Sequence, residues 1–191
     1  MIPFSMQQSA GGYFLGEVAS ALQKSIRRGE EENALYWATE LDISGFGEYA
    51  WKRLKIMASE DVGLADPLAA VAVQSLYQSW KEQRSKKDVK HEPERLFFVH
   101  AVMLLARAQK SRMVDHALIA FYEADRASIR REVPDYALDK HTAAGRKLRR
   151  GHSHFWDEGA KVENAAALLD PYRERACEIR ADAATLFDEL E

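Results

Sequence analysis

The feature that most constrains the fold of this chain is the spacing of its apolar residues. Apolar side chains recur every three or four positions through much of the sequence, as Val18, Leu22 and Ile26 do in the first such stretch. This period brings apolar side chains to one face of an α-helix. The sequence has no alternating stretch of strand length and no repeat of fixed period. The pattern therefore predicts an all-α fold, a helical bundle.

Composition narrows the class of protein further. The chain has 191 residues, 47% hydrophobic and 30% charged, which is typical of one globular domain with a sizeable core. Its net charge of −3 gives no global basic field, so nucleic-acid binding requires a local patch. The single cysteine, Cys177, has no internal disulfide partner. Because there is no leader-like N-terminus and no long apolar run, we expect a cytoplasmic protein that does not enter a membrane.

The chain divides into three predicted parts. Residues 1–16 form an N-terminal arm whose Phe4, Tyr13 and Phe14 dock on a neighbouring surface, with disorder as the alternative. Residues 17–138 form a helical domain, and residues 139–191 form a basic, histidine-rich segment with a C-terminal helix packed on the same domain. Inside the helical domain we predict six helices: from Glu17 to a cap at Gly29, over 31–41, over 48–61, over 67–80, over 93–109 and over 112–131.

The fourth and fifth of these helices are apolar on most faces, which predicts a buried hairpin in the middle of the bundle. Asp66 is expected to cap the fourth helix with Pro67 at its first position. Ser111 is expected to cap the sixth, and Pro134 to stop it.

The motifs of common enzymes are missing. The sequence contains no GxxxxGK[ST], GxGxxG, GxSxG, HExxH or paired CxxC pattern. A run of basic residues that contains no acid until Asp157 is instead the strongest local signal. Its cations predict contact with phosphate, beside Phe155 and Trp156 as stacking rings, whereas the alternative is a solvated face. The predicted nucleic-acid-binding residues are Lys140, Arg146, Lys147, Arg149 and Arg150.

Histidines near this run allow a metal-site hypothesis. His141, His152 and His154 would need Asp157 or Glu158 as further ligands, and their spacing is not specific. Ordinary hydrogen-bonded histidines are the alternative, so we predict no metal and no cofactor. A further pair, His100 and His116, lies among apolar neighbours and is interpreted as core or interface histidines.

Two acids, Glu60 and Asp61, lie just before Gly63 in the predicted last turn of a helix. Negative charge there opposes the helix dipole, so these carboxylates need a compensating partner. One interpretation is that they accept backbone N–H bonds from the next helix. Another is that they pair with arginines of the basic run or of a neighbouring subunit. Catalytic acid–base use is a third.

At this point the sequence resembles a known family. The segments SALQKSIRRGEEENALYWATEL and AWKRLKIMASEDVGLADPLA, followed by VPDYAL, are similar in order and spacing to the C-terminal domain of the MgsA/RarA family of AAA+ ATPases. The resemblance covers roughly residues 18–138. From Asp139 onward the sequence departs from the full-length enzymes. Because Met1 lies only a short way before the first matching helix, we expect the family's ATPase core to be missing.

The resemblance implies a fold related to the clamp-loader collar, which assembles the ATPases into a homotetramer acting at stalled replication forks and DNA ends. The residues expected to build the fold and its interfaces are Lys24, Ser25, Arg27, Trp37, Glu60, Asp61 and Asp66.

The function predicted is a non-enzymatic oligomerisation and DNA-associated module, a dimer or tetramer of the chain, in DNA replication or repair. One alternative is a protein partner or regulator of a full-length MgsA/RarA-type ATPase. Another is a metal enzyme that uses His141, His152 and His154.

Overall fold

The computed structural model describes residues 3–85 and 93–188, with side chains up to residue 180. Residues 86–92, between the fourth and fifth predicted helices, lie outside the described part. The chain divides into two compact units, the first ending at Asp125 and the second beginning at Arg126. The division into residues 17–138 and 139–191 remains a prediction.

The first unit is built from helices. They are α1 (Leu15–Arg28), α2 (Glu31–Leu41), α3 (Gly47–Met57), α4 (Ala69–Arg84), α5 (Glu94–Arg107) and α6 (Met113–Leu118). Three π-helical turns follow α2, α3 and α6, at Asp42–Phe46, Ala58–Val62 and Ile119–Glu123. Within the described residues there is no strand, only an isolated bridge between Gln8 and Phe14. The all-α prediction is confirmed.

The first helix forms as its sequence predicts. Val18, Leu22 and Ile26 are fully buried on one face of α1. Gly29 ends the helix in the left-handed conformation, at a φ of 73°, and its N–H donates to the carbonyl of Ile26. Glycine adopts this conformation without the penalty of a Cβ. The predicted cap is thus present.

Aromatic residues form the centre of the core. Trp51 of α3 lies 5.8 Å from Trp80 of α4 and 5.5 Å from Phe98 of α5, measured between ring centroids. Trp51 and Trp80 are fully buried. Large aromatic side chains contribute much of the apolar area that stabilises a core of this size. Helices distant in sequence therefore meet at these three rings.

The helices α4 and α5 are expected to be buried on both sides, within a subunit and between subunits, and the single chain covers one face of each; burial of the other face between subunits remains a prediction. The two helices pack against each other as predicted. However, Val71 of α4 is 65% exposed and Leu96 of α5 is 70% exposed. Each helix buries one face in the unit and exposes one large apolar side chain on another. The helix α4 also begins two residues later than predicted, at Ala69, although Asp66 accepts a bond from the N–H of Leu68 at 3.2 Å.

The sixth helix is much shorter than predicted. It begins at Met113, where Ser111 Oγ accepts the backbone N–H at 3.3 Å, and its π-helical turn ends at Glu123, well before Pro134. None of its residues is buried. Short helices need tertiary packing to persist, so this segment has little to extend it. Proline does not stop it.

The N-terminal arm packs on its own chain. Phe4 lies 4.2 Å from the ring of Tyr49, and Tyr13 lies 5.3 Å from Trp37. The backbone N–H of Gly11 donates to the buried carboxylate of Glu40 at 2.6 Å. The surface on which the arm docks is therefore formed by helices α2 and α3 of the same unit.

The second unit has short elements and one long helix. They are α7 (Ala143–Lys147), α8 (His152–His154) with a π-helical turn at Phe155–Gly159, and α9 (Arg173–Asp188). Of residues 126–180, only Gly145 is buried. The spacing of Tyr172, Ala176, Ile179, Ala183 and Leu186 predicts an apolar side for the last helix, but Tyr172 and Ile179 are exposed. The side chains of Ala183 and Leu186 lie outside the described residues.

Candidate functional site

A buried carboxylate lies at the turn between α3 and α4. The π-helical turn Ala58–Val62 carries Glu60 and Asp61, and Asp61 is fully buried. A π-helical turn inserts one extra residue into a helix and occurs often at functional sites. Here it brings Asp61 into contact with helix α1.

The partner of both acids is Arg27 of α1. Its Nε donates to Asp61 Oδ1, and a terminal nitrogen donates to Glu60 Oε1 at 3.0 Å. Gln23, one turn earlier, donates to the second oxygen of Asp61 at 3.1 Å. Arg112 approaches Glu60 at 3.8 Å. Both oxygens of the buried carboxylate are thus hydrogen-bonded, as a buried charge requires.

These contacts correct one expectation. The acids were expected to pair with arginines of the basic run or of a neighbouring subunit, but the arginines found beside them are Arg27 and Arg112 of the same unit. The hydrogen bond to Asp61 raises the pKa of Arg27 above its ordinary value, against the opposing effect of burial. The arrangement joins α1 to the turn, and we call it the Arg27–carboxylate cluster, made of Arg27, Gln23, Glu60 and Asp61.

A lysine near this cluster was not found by sequence reasoning. Lys110 follows α5 and donates to the carbonyls of Ala106 and Ala108, which lie at the end of that helix. Burial lowers the pKa of Lys110, although the charge of Asp61 opposes this effect. The residue after it, Ser111, donates its N–H to the backbone carbonyl of Asp61 at 2.9 Å. A basic residue after an apolar helix was the only available signal.

The remaining predicted structural residues lie at the surface of the first unit or just beneath it. Trp37 is half-buried between the rings of Tyr13 and Tyr36. Lys24 is exposed and bonds to Ser20 on its own helix. Ser25 is buried and its carbonyl accepts the N–H of Glu30 at 2.9 Å. Their contribution to interfaces remains a prediction.

The five predicted nucleic-acid-binding residues separate into two groups. Arg146, Lys147 and Arg149 are exposed on and just after α7. By contrast, the Arg150 side chain is only 18% exposed, and its guanidinium donates to the backbone carbonyls of Asp135 and Leu138 and to the carboxylate of Asp135. Lys140 bonds to a histidine ring, as described below. Only the first three therefore present their charge to solvent, and we call them the exposed basic group.

The three predicted metal-site histidines differ in their contacts, because His141 and His152 each have a partner whereas the buried Nε2 of His154 has none among the described residues. His141 Nδ1 lies 2.9 Å from Asp139 Oδ2, and its bond holds the pKa of Asp139 below the ordinary value. His152 Nε2 lies 2.8 Å from Lys140 Nζ. Over residues 3–85 and 93–188 no group of three or more His, Cys, Asp or Glu side chains is placed to hold a metal ion. His100 and His116 are exposed, so they are not core histidines; an interface role for them remains a prediction.

An apolar stripe follows the outer face of α5. Leu96, Val99, Met103 and Leu104 line a shallow groove of about 450 Å³, together with His100 and Arg107. Their spacing of three and four residues places most of them along one side of the helix. We call this the α5 stripe. Large exposed apolar surfaces bordered by polar residues mark interaction sites in soluble proteins.

The described residues define an all-helical class of protein. Its helices carry the α5 stripe and the exposed basic group as surfaces available for contact. The chain belongs to the family described as MgsA AAA+ ATPase C terminal, whose model matches residues 29–171. The predicted family is therefore confirmed. The match continues beyond residue 138, which corrects the expectation that the resemblance ends at Asp139.

Several curated relatives are replication proteins. The chain is 32% identical to the replication-associated recombination protein A of Bacillus subtilis over 150 residues, 75% of this chain and 34% of that protein. It is 33% identical to the protein of the same name from Haemophilus influenzae, over 65% of this chain and 26% of the relative. It is 32% identical to the ATPase WRNIP1 of Dictyostelium discoideum, over 59% of this chain and 12% of that protein.

The chain thus spans about a third or less of the length of these relatives. The family match concerns the C-terminal domain of an ATPase. No helix among the described residues is long and apolar enough to cross a bilayer.

Proposed function

We propose that this chain is a non-enzymatic, cytoplasmic module that assembles with copies of itself and associates with DNA in replication or repair. The observation that carries the proposal is the α5 stripe, in which Leu96 is exposed and Val99, Met103 and Leu104 are half-buried. Membership in the C-terminal domain family of replication-linked ATPases supports it. A bundle gains free energy when apolar side chains that are partly exposed to water are buried against a second copy.

Self-association is tested by one substitution in the stripe. Leu96→Glu places a charge at the most exposed apolar residue of the α5 stripe and should shift the protein from dimer or tetramer to monomer in light scattering. Leu168→Glu is the matched control, because Leu168 is 82% exposed in the second unit. A wild-type protein that is monomeric at high concentration, or a Leu168→Glu variant that dissociates as much as Leu96→Glu, would contradict the proposal.

DNA association is assigned to the exposed basic group. Because each lysine or arginine that neutralises a phosphate releases counterions, the three residues together account for roughly three units of slope in log affinity against log salt. The triple variant Arg146→Gln, Lys147→Gln and Arg149→Gln should bind duplex DNA more weakly and with a correspondingly shallower slope. The matched control changes Arg28, Lys52 and Arg175 to Gln, the same charge difference at other exposed positions. Equal effects of both triple variants would refute the assignment.

The second candidate function is a regulator that joins the C-terminal domain of a full-length relative. An identity of 32% over three quarters of this chain favours it, because similar surfaces can pair with each other. Mixing the purified chain with a full-length MgsA/RarA-type ATPase from the same cell decides between the candidates. A mixed assembly that Leu96→Glu abolishes supports the regulator, whereas assembly of the chain alone supports the module.

A further inference from the structure

A small polar cavity in the second unit gathers cationic side chains. Its volume is about 210 Å³, and it is lined by Lys140, His141, His152, Phe155, Trp156 and Arg180. No acidic side chain belongs to this described lining. These residues come from the loop before α7, from α8 and its π-helical turn, and from α9. The fold of this unit therefore concentrates positive charge around one half-open cavity.

The contact between Lys140 and His152 indicates the protonation state of the histidine in this cavity. A lysine ammonium has only donors, so at 2.8 Å the Nε2 of His152 accepts its hydrogen bond and the ring is neutral. Burial lowers the pKa of His152, and the charges of Lys140, Arg180 and His141 lower it further. The surrounding cations thus favour the neutral form of His152. The same positive potential attracts an anion to the cavity.

Two further observations point to a ligand. Trp156 Nε1 is a buried donor that has no hydrogen-bond partner among the described residues. The Nε1 atoms of Trp51 and Trp80 also lack a partner there, but those two rings lie in the closed core of the first unit, whereas Trp156 lines two cavities. The ring of Phe155 lies 5.4 Å from the rings of both His141 and Trp156, which frames the cavity with aromatic edges. His141 itself is held by Asp139, so Lys140 and Arg180 are the cations left to bind an anion.

We propose that this cavity binds the terminal phosphate of a phosphate monoester, either a free nucleotide or the phosphorylated end of a DNA strand. Such a group carries close to two negative charges at neutral pH and several acceptor oxygens. Lys140, Arg180 and the Trp156 N–H supply the charge and the donors. A neighbouring cavity of about 610 Å³ shares His152 and Trp156 and receives the organic part of the ligand. The site is independent of the exposed basic group and of the α5 stripe.

The first test compares AMP with adenosine by isothermal titration calorimetry. AMP should bind and adenosine should not, because the phosphate makes the main contacts. Arg180→Gln should weaken AMP binding about tenfold, the effect of one lost charge-assisted hydrogen bond. Arg175→Gln is the matched control, since Arg175 is exposed on the same helix and does not line the cavity. Unchanged circular dichroism of both variants verifies that the fold persists.

Equal binding of AMP and adenosine, or equal effects of the two arginine variants, would overturn the proposal. The source of the phosphate is separated by a 5′-phosphorylated oligonucleotide and its 5′-hydroxyl counterpart. If the phosphorylated strand binds more tightly than AMP, the ligand is a strand end; if the two bind alike, a free nucleotide suffices. Binding of blunt, unphosphorylated duplex by the exposed basic group stays unchanged in Arg180→Gln, so failure here leaves the proposed DNA association standing.

Discussion

Removing Arg27 should destabilise the first unit more than removing the charge of Asp61. Arg27→Met leaves a fully buried carboxylate with only Gln23 as a donor. Truncating one partner of a buried ion pair costs about 3–5 kcal/mol. Because the Arg27 side chain is 31% exposed, we expect a cost at the lower end of this range, about 3 kcal/mol. Asp61→Asn leaves an arginine that reaches water and still bonds Glu60, so about 1–2 kcal/mol is expected.

The assay is urea unfolding followed by tryptophan fluorescence. It reports mainly on the first unit, because Trp37, Trp51 and Trp80 lie there and only Trp156 lies in the second. The matched control is Arg28→Met, an exposed neighbour on α1, which should change stability by less than about 0.5 kcal/mol. The reasoning is refuted if Asp61→Asn costs more than Arg27→Met, or if Arg27→Met behaves as Arg28→Met does.

Two further predictions concern the first unit. Gly63 has a φ of 52° and a ψ of −129°, and a Cβ there would lie 3.1 Å from the carbonyl oxygen of Ser111. Gly63→Ala should therefore lower the free energy of unfolding in urea by about 1–3 kcal/mol. The control Gly151→Ala should be nearly neutral, because a Cβ at Gly151 meets open space. Tyr77 donates to Glu48 at 2.8 Å, and this bond raises the pKa of Tyr77. Because the raised pKa belongs to the folded state, the stability that wild type gains over Tyr77→Phe is fully present below the unfolded value of about 10. It should fall as pH rises through the folded pKa, and a difference that grows with alkaline pH would contradict this.

Helices α1 to α3 follow from the sequence because their apolar faces repeat at a constant period. The limits of that reasoning appear at Asp61. Its neighbours in sequence indicate an exposed helix end, yet the residue is fully buried beside Arg27, 34 positions away. Pairing over such a distance depends on how two helices cross, which residue spacing does not encode. The sequence therefore identified the acids and not their partner.

The α5 stripe and the run of basic residues show the same limit of reasoning from sequence. Hydrophobicity on most sides of α5 predicted burial within a subunit and between subunits, but it did not indicate which residues the unit itself leaves exposed, such as Leu96. Charge alone marked Arg150 as a phosphate contact, although backbone carbonyls of Asp135 and Leu138 occupy its guanidinium. The cavity around Lys140 and Arg180 joins residues 40 positions apart and had no local signal.

The wide turn at Ala58–Val62 has a consequence for how this chain tolerates changes of length. An ordinary helix advances each residue by about 100° around its axis. Deleting Ser59 would tighten the turn to regular pitch and swing the following acids by about that angle, away from Arg27. An insertion or deletion of one residue here would thus separate the carboxylates from Arg27 and not merely change the length of a loop. We therefore expect relatives of this domain to keep the number of residues between α3 and Gly63 constant.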